Sequence, residues 1–241
     1  MIRLVFVELR RAVDTRGPRW AFAAAAVSGV LLSFVVARDA TTFAAFVAGL
    51  SLALPLLMGL LAVMAFTAEW STRAALTTFA VTPRRQRILG ARYAAILLLA
   101  ASTLVAIHLL AAVGFVVSRP GSVGSVFDVA VLAQFWQMLA TTVAATLTAI
   151  AVASLVLRTA LALLIAVFGP FLLTIGLAFT PGLVDWLNPY GFASWLAEPQ
   201  LSWTITSETT VGLGPAVTSF AVWTALPLAL GWVRQLRAEP R

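Results

Sequence analysis

Along most of this chain apolar residues do not alternate with polar ones; they run on in long blocks broken by short polar punctuation. A helix that crosses a bilayer needs about 20 predominantly apolar residues at 1.5 Å rise per residue. Six blocks satisfy this: residues 20–37, 43–66, 94–117, 129–157, 160–178 and 215–233. Pro18 opens the first, where its missing N–H would have no helical partner anyway. The N-terminus reads differently. In "MIRLVFVELRRAVDTR", Ile2, Val5, Phe6, Leu9 and Val13 recur at helical spacing, opposite Arg3, Arg10 and Asp14. This predicts an amphipathic elbow helix over 1–16, lying in the interface with its arginines near anionic headgroups. A plain extension of the first span is the alternative, which Gly17 and Pro18 oppose by interrupting the helix.

Composition fixes the class. The 241 residues are 61% hydrophobic and 10% charged, against about a quarter charged in soluble domains. The expectation is an all-α integral membrane protein, one domain over 1–241, with six transmembrane helices and no soluble annex. Residues 1–37 could also be a cleaved signal, with Val35 and Ala37 as its small-residue exit. A signal has a short basic region and a short apolar core, whereas here an amphipathic stretch precedes a full span, so the segment reads as retained. There is no cysteine, hence no disulfide framework, thiolate nucleophile or cysteine metal site, and His108 alone makes no histidine cluster. All 16 basic residues are arginine.

Charge then orients the chain, because short loops rich in basic residues stay cytoplasmic. The N-terminus, the 67–93 loop, the turn at Arg158 and the C-terminal tail hold 14 arginines against Glu8, Asp14, Glu69 and Glu239. The other loops hold Arg38 and Arg119 against Asp39, Asp128, Asp185, Glu198 and Glu208. Both termini are therefore expected in the cytoplasm, in a multi-pass protein of the plasma membrane. Topology accounts for the +7 net charge without nucleic acid as a partner.

Residues 67–93, "TAEWSTRAALTTFAVTPRRQRILGARY", form the most charged interior loop. From Glu69 to Thr82 neither glycine nor proline intervenes, so a short helix fits until Pro83 stops it. It is too polar to cross lipid and too apolar to float free; it rests on headgroups or on a partner protein. Glu69, Pro83, Arg84, Arg85 and Arg92 give an acid, an apolar run, P-R-R and a basic residue heading the next span. This resembles the cytoplasmic loop of permease subunits of ABC-2 type ABC transporters. That family's usual Gly-Thr pair is replaced by Arg73 and Ala74. The resemblance is detailed over this loop and extends loosely, through six spans and an elbow helix, to the whole chain.

The resemblance implies a division of labour. Such a permease pairs with a second permease copy, as homodimer or heterodimer, and docks its loop on a separate ATPase subunit. A P-loop requires a lysine on the nucleotide phosphates, and this chain contains none. It is thus not expected to be an enzyme or to bind a cofactor directly; ATP and Mg belong to the partner subunit. Glu69 and Trp70 are expected to begin a coupling helix whose Ala75, Leu76 and Phe79 enter a groove of the ATPase, with Arg73, Arg84 and Arg85 on acids at its rim. The function implied is ATP-driven export of a drug, antimicrobial peptide or lipid.

Pro55 interrupts the second span, and Gly169 and Pro170 the fifth. Prolines kink helices and free a backbone carbonyl. The resemblance implies that these spans line the path, which marks Pro55, Met58, Phe168, Gly169, Pro170 and Phe171; ordinary transmembrane kinks and packing are the other reading. Gln134, Gln137, Thr141 and Thr142 face a polar cavity or bond neighbouring helices. His108 is expected to be a buried, neutral packing residue. Residues 180–214 predict a short external helical region, with Trp186, Tyr190, Trp195 and Trp203 suited to the bilayer interface. No G-x-S-G-like serine accompanies the histidine and no H-E-x-x-H occurs, which counts against an intramembrane enzyme. A secondary transporter or channel independent of ATP is the alternative, weakened by missing inverted repeats and intramembrane coupling charges.

Overall fold

A computed structural model describes residues 2–14, 16–37, 39–48, 50–71, 85–197 and 212–237. Every regular element among them is helical: α1 (Ile2–Asp14), α2 (Arg16–Val36), α3 (Phe43–Ala48), α4 (Leu50–Ser71), α5 (Arg85–Ser118), a 3-10 segment (Pro120–Phe127), α6 (Val129–Val156), α7 (Thr159–Leu177), α8 (Pro181–Leu187), α9 (Gly191–Ala197) and α10 (Leu213–Arg237). Helices α5, α6, α7 and α10 are long and apolar enough to cross a membrane. Shorter apolar stretches, Phe22–Val35 and Leu54–Ala68, lie in α2 and α4. By length and composition this is an all-helical, membrane-embedded chain.

Helices α6 and α7 begin and end within a residue of the apolar blocks that predict them. Helix α5 starts at Arg85, well before its block, and α10 runs on to Arg237. An apolar count marks where lipid is crossed, whereas backbone bonding continues through any good helix former, arginine and glutamine included. For the same reason α4 continues through Ser71, so Glu69 and Trp70 close this helix instead of opening another.

Helices α4 and α6 form the centre. Leu50, Leu54, Met58 and Leu61 pack with Leu104, Ile107, Ala111 and Phe115 of α5 and Met138 of α6. Further along, Ala62, Val63 and Phe66 meet Ile96, Ala149, Ile150, Ala153 and Ala162. Lipid tails are as apolar as leucine, so helix association in a bilayer depends on close backbone approach. Among the described glycines Gly231 supplies the closest: a Cβ built there would overlap Ser154 Oγ. Helix α7 is peripheral, and Ala162 is its one buried residue.

Several buried hydroxyls bond the preceding turn of their own helices, as Thr103 does to Leu99 (2.8 Å), Thr146 to Thr142 (2.7 Å) and Ser154 to Ala151 (2.7 Å). That arrangement satisfies them where water is absent. Leu157 ends α6 in the left-handed region, φ 57°, where a side chain costs roughly 1–2 kcal/mol. Arg158 is extended and α7 follows at once, making the two helices antiparallel neighbours.

Two ends result. One, here the basic end, gathers α1, the end of α4, the start of α5, the α6–α7 turn and the end of α10. Thr67 Oγ1 donates to Thr159 Oγ1 at 2.9 Å and Arg234 to the Leu155 carbonyl. The opposite end carries the α2–α3 turn, the 3-10 segment, α8 and α9.

Candidate coupling end and helix-crossing residues

Of the residues singled out for coupling, Arg73, Leu76, Phe79, Pro83 and Arg84 lie outside the described residues, and Glu69 and Trp70 form the last turn of α4. Trp70 packs on Ile88 and Leu89 of α5, against which Trp232 and Leu236 of α10 also pack. Arg85 Nη1 donates to the Leu236 carbonyl at 3.4 Å. Both flanks of segment 72–84 are thus tied to the end of α10, Arg85 directly and Trp70 through Ile88 and Leu89.

A few residues onward, Arg92 is buried and its Nε donates to Glu8 Oε2 of α1 at 3.2 Å. Arg11 Nη1 lies 3.9 Å from the second oxygen, Oε1, of the same carboxylate. Tyr93, next in sequence, stacks on Phe66 (5.3 Å), tilts against Trp232 (5.5 Å) and accepts from Gln235 Nε2 at 3.3 Å. Gln235 is fully buried and also donates to Gly231 O at 3.1 Å. The first turns of α5 are therefore a hub joining α1, α4 and α10. Chain pattern gives no hint of this pairing: Glu8 enters only the charge balance, Arg92 only the resemblance of the loop, and Gln235 is not singled out.

Helix α1 has three sectors. Glu8 faces α5, Ile2 and Phe6 are 75% and 67% exposed, and Arg3 and Arg10 are exposed beside them. The helix holds the bundle by a polar residue and leaves its apolar edge uncovered.

The residues marked for a path are dispersed within the single chain. Met58 is buried in the core with Leu104 and Met138, while Pro55 is half-buried. Phe168 and Phe171 are exposed on α7, with Gly169 and Pro170 partly so. His108 is buried; its Nδ1 donates to Leu104 O at 3.1 Å, and its ring meets Phe135 edge-on at 5.1 Å. Gln134 and Thr142 are buried on α6, while Thr141 Oγ1 donates to Gln137 O at 3.0 Å.

At the opposite end Arg119 lies over the rings of Phe46 and Phe115, 5.2 and 5.3 Å from their centroids, and donates to the Ala37 carbonyl at 3.4 Å. Ser125 Oγ accepts from Phe43 N at 3.0 Å. These contacts hold the α2–α3 turn against α5. The helical region predicted after the fifth span is present as α8 and α9, and Trp203 lies outside the described residues. Trp223 Nε1 donates to Leu187 O and Ser219 Oγ to Asn188 O, both at 2.8 Å, which attaches the α8–α9 corner to α10. Desolvation pushes the Tyr190 hydroxyl above its ordinary value, so it stays protonated around neutral pH. No group of acids and histidines that could hold a metal occurs among the described residues. No family model matches the chain, and no curated protein matches it.

Proposed function

We propose that this chain is the membrane-spanning permease subunit of an ATP-driven exporter of the ABC-2 type. Six spans cross the plasma membrane, α2 and α4 supplying the two shorter ones, with the basic end and both termini in the cytoplasm. Helix α1 is the interfacial elbow. Segment 72–84 docks on a separate ATPase subunit, which binds ATP and Mg, and a second permease copy completes the path for a drug, antimicrobial peptide or lipid.

The observation that carries this reading is the hub at the basic end. Trp70 and Arg85, which bracket the segment, are joined through α5 to Glu8 of α1 and through Leu236 and Gln235 to α10. A push delivered between residues 71 and 85 therefore reaches four helices at once. A solvated linker would need no such anchorage. The missing lysine agrees, since it leaves the energy source to another subunit.

The test is co-purification with the candidate ATPase, followed by its hydrolysis rate in reconstituted membranes. Arg84→Glu with Arg85→Glu should abolish both association and stimulation. Transport by the purified chain alone, insensitive to vanadate, would overturn the proposal in favour of a secondary transporter or channel.

A further inference from the structure

The buried residues of α10 do not keep one helical spacing. Ala216 and Ser219 are buried toward the opposite end, and Thr224, Gly231 and Gln235 toward the basic end. Positions three or four apart share a face of an α-helix, yet Ser219 and Thr224 share one at five. The π turn over Ala221–Ala225 makes this possible: it is a wider turn that absorbs one extra residue, and Leu226 N reaches back to Ala221 O. Pro227 follows and lacks the N–H that would bond a carbonyl one turn back. Two weaknesses of the backbone ladder thus coincide at one level of the helix.

On either side of that level α10 holds different elements, the α8–α9 corner toward the opposite end and α5 and α6 toward the basic end, and α9 itself also packs on α6. Toward the opposite end Ser219 Oγ donates to Asn188 O and accepts from Phe192 N at 3.2 Å, and Phe220 meets Phe192 at 4.7 Å, while from within the turn Trp223 bonds Leu187 O. A Cβ on Gly191 would lie 3.1 Å from Ser219 Cβ, so this corner fits closely. Toward the basic end Thr224 Oγ1 lies 2.6 Å from Thr148 Oγ1 of α6, Gly231 abuts Ser154, and Gln235 bonds Tyr93. Single π turns of this kind are rare and concentrate at functional sites.

We infer that the π turn is a hinge, about which residues 213–220 turn relative to residues 226–237, carrying the α8–α9 corner, which Trp223 of the turn itself also holds and whose α9 slides on α6. The hinge follows from the geometry of this chain; its use in transport rests on the function proposed above. In that use, motion gathered at the hub, where α10 ends, reaches the opposite face by rotation at Ala221–Ala225.

Deleting Val222 is the decisive change. It brings Ser219 and Thr224 to four-residue spacing, so a continuous α-helix presents all five buried residues on one face without the π turn. Hydrogen exchange of the purified chain, which needs no partner and no ATP, should slow over 213–226 while thermal stability is kept or raised. With the ATPase subunit, the variant should still stimulate hydrolysis but lose transport. Unchanged exchange in the folded variant would overturn the hinge. Slowed exchange with transport intact would overturn its role in transport and leave the permease reading standing. Should the deletion fail to fold, Pro227→Ala restores a backbone donor without altering register. It should slow exchange over 221–227, and unchanged or faster exchange there would overturn the hinge.

Discussion

Glu8 and Arg92 keep a carboxylate and a guanidinium 3.2 Å apart with side-chain exposures of 10% and 4%. Removing both charges from water costs several kcal/mol per ion, so such a pair is a poor source of net stability; what it contributes best is a fixed register. Here it sets α1 against the first turns of α5 at one residue. Glu8→Ala leaves Arg92 buried without its carboxylate and should destabilise the fold by about 3–5 kcal/mol, read from unfolding in detergent. Glu8→Leu with Arg92→Met should recover most of that loss, because an apolar pair of similar volume carries no desolvation cost. A double replacement no more stable than Glu8→Ala alone would show that α1 is held by something other than the pair. Leu157 is another residue at which local cost is visible, its φ of 57° accepted to turn α6 directly into α7.

At the scale of elements, the contact between α6 and α10 is set by what the helices lack. A Cβ at Gly231 would lie 2.6 Å from Ser154 Cβ and 3.0 Å from its backbone carbon, so truncating the serine hydroxyl leaves no room and the helices must separate. Gly231→Ala should cost about 1–3 kcal/mol or more, as overpacking does. Gly176 on α7 has nothing within 4 Å of an added Cβ, and Gly176→Ala should stabilise by up to about 1 kcal/mol through helix propensity alone. Thermal midpoints of the two variants should therefore move in opposite directions. This contrast shows what the residue pattern discloses. The long apolar blocks located α6 and α7 closely because bilayer thickness dictates their length. They missed the start of α5, where arginines continue a helix that hydropathy ends. The periodicity of α1 shows one apolar stripe, Ile2 to Val13, and gives no sign of the role of Glu8, whose partner stands 84 positions away. The break in α10 was legible in principle: Ser219, Thr224, Gly231 and Gln235 are small or polar positions in an apolar helix, spaced five, seven and four apart.

For the whole molecule, the asymmetry of charge and the direction of each helix must agree or the topology fails. Arg3, Arg10, Arg11, Arg85, Arg87, Arg92, Arg158, Arg234 and Arg237 lie at the basic end, with Arg119, Asp128 and Asp185 opposite. In the proposed orientation, with the basic loops kept in the cytoplasm, α5 and α7 run outward and α6 and α10 inward. The absence of cysteine makes this directly measurable, since any thiol introduced is the only one. Gly124 has nothing within 4 Å of an added Cβ, and Gln86 is exposed at the start of α5. In intact cells a membrane-impermeant maleimide should label Gly124→Cys and spare Gln86→Cys until the membrane is opened. Equal labelling of both would mean that α5 does not cross. The reverse pattern would place segment 72–84 outside, where no cytoplasmic ATPase reaches it, and the proposed coupling would fail however well the hub is packed.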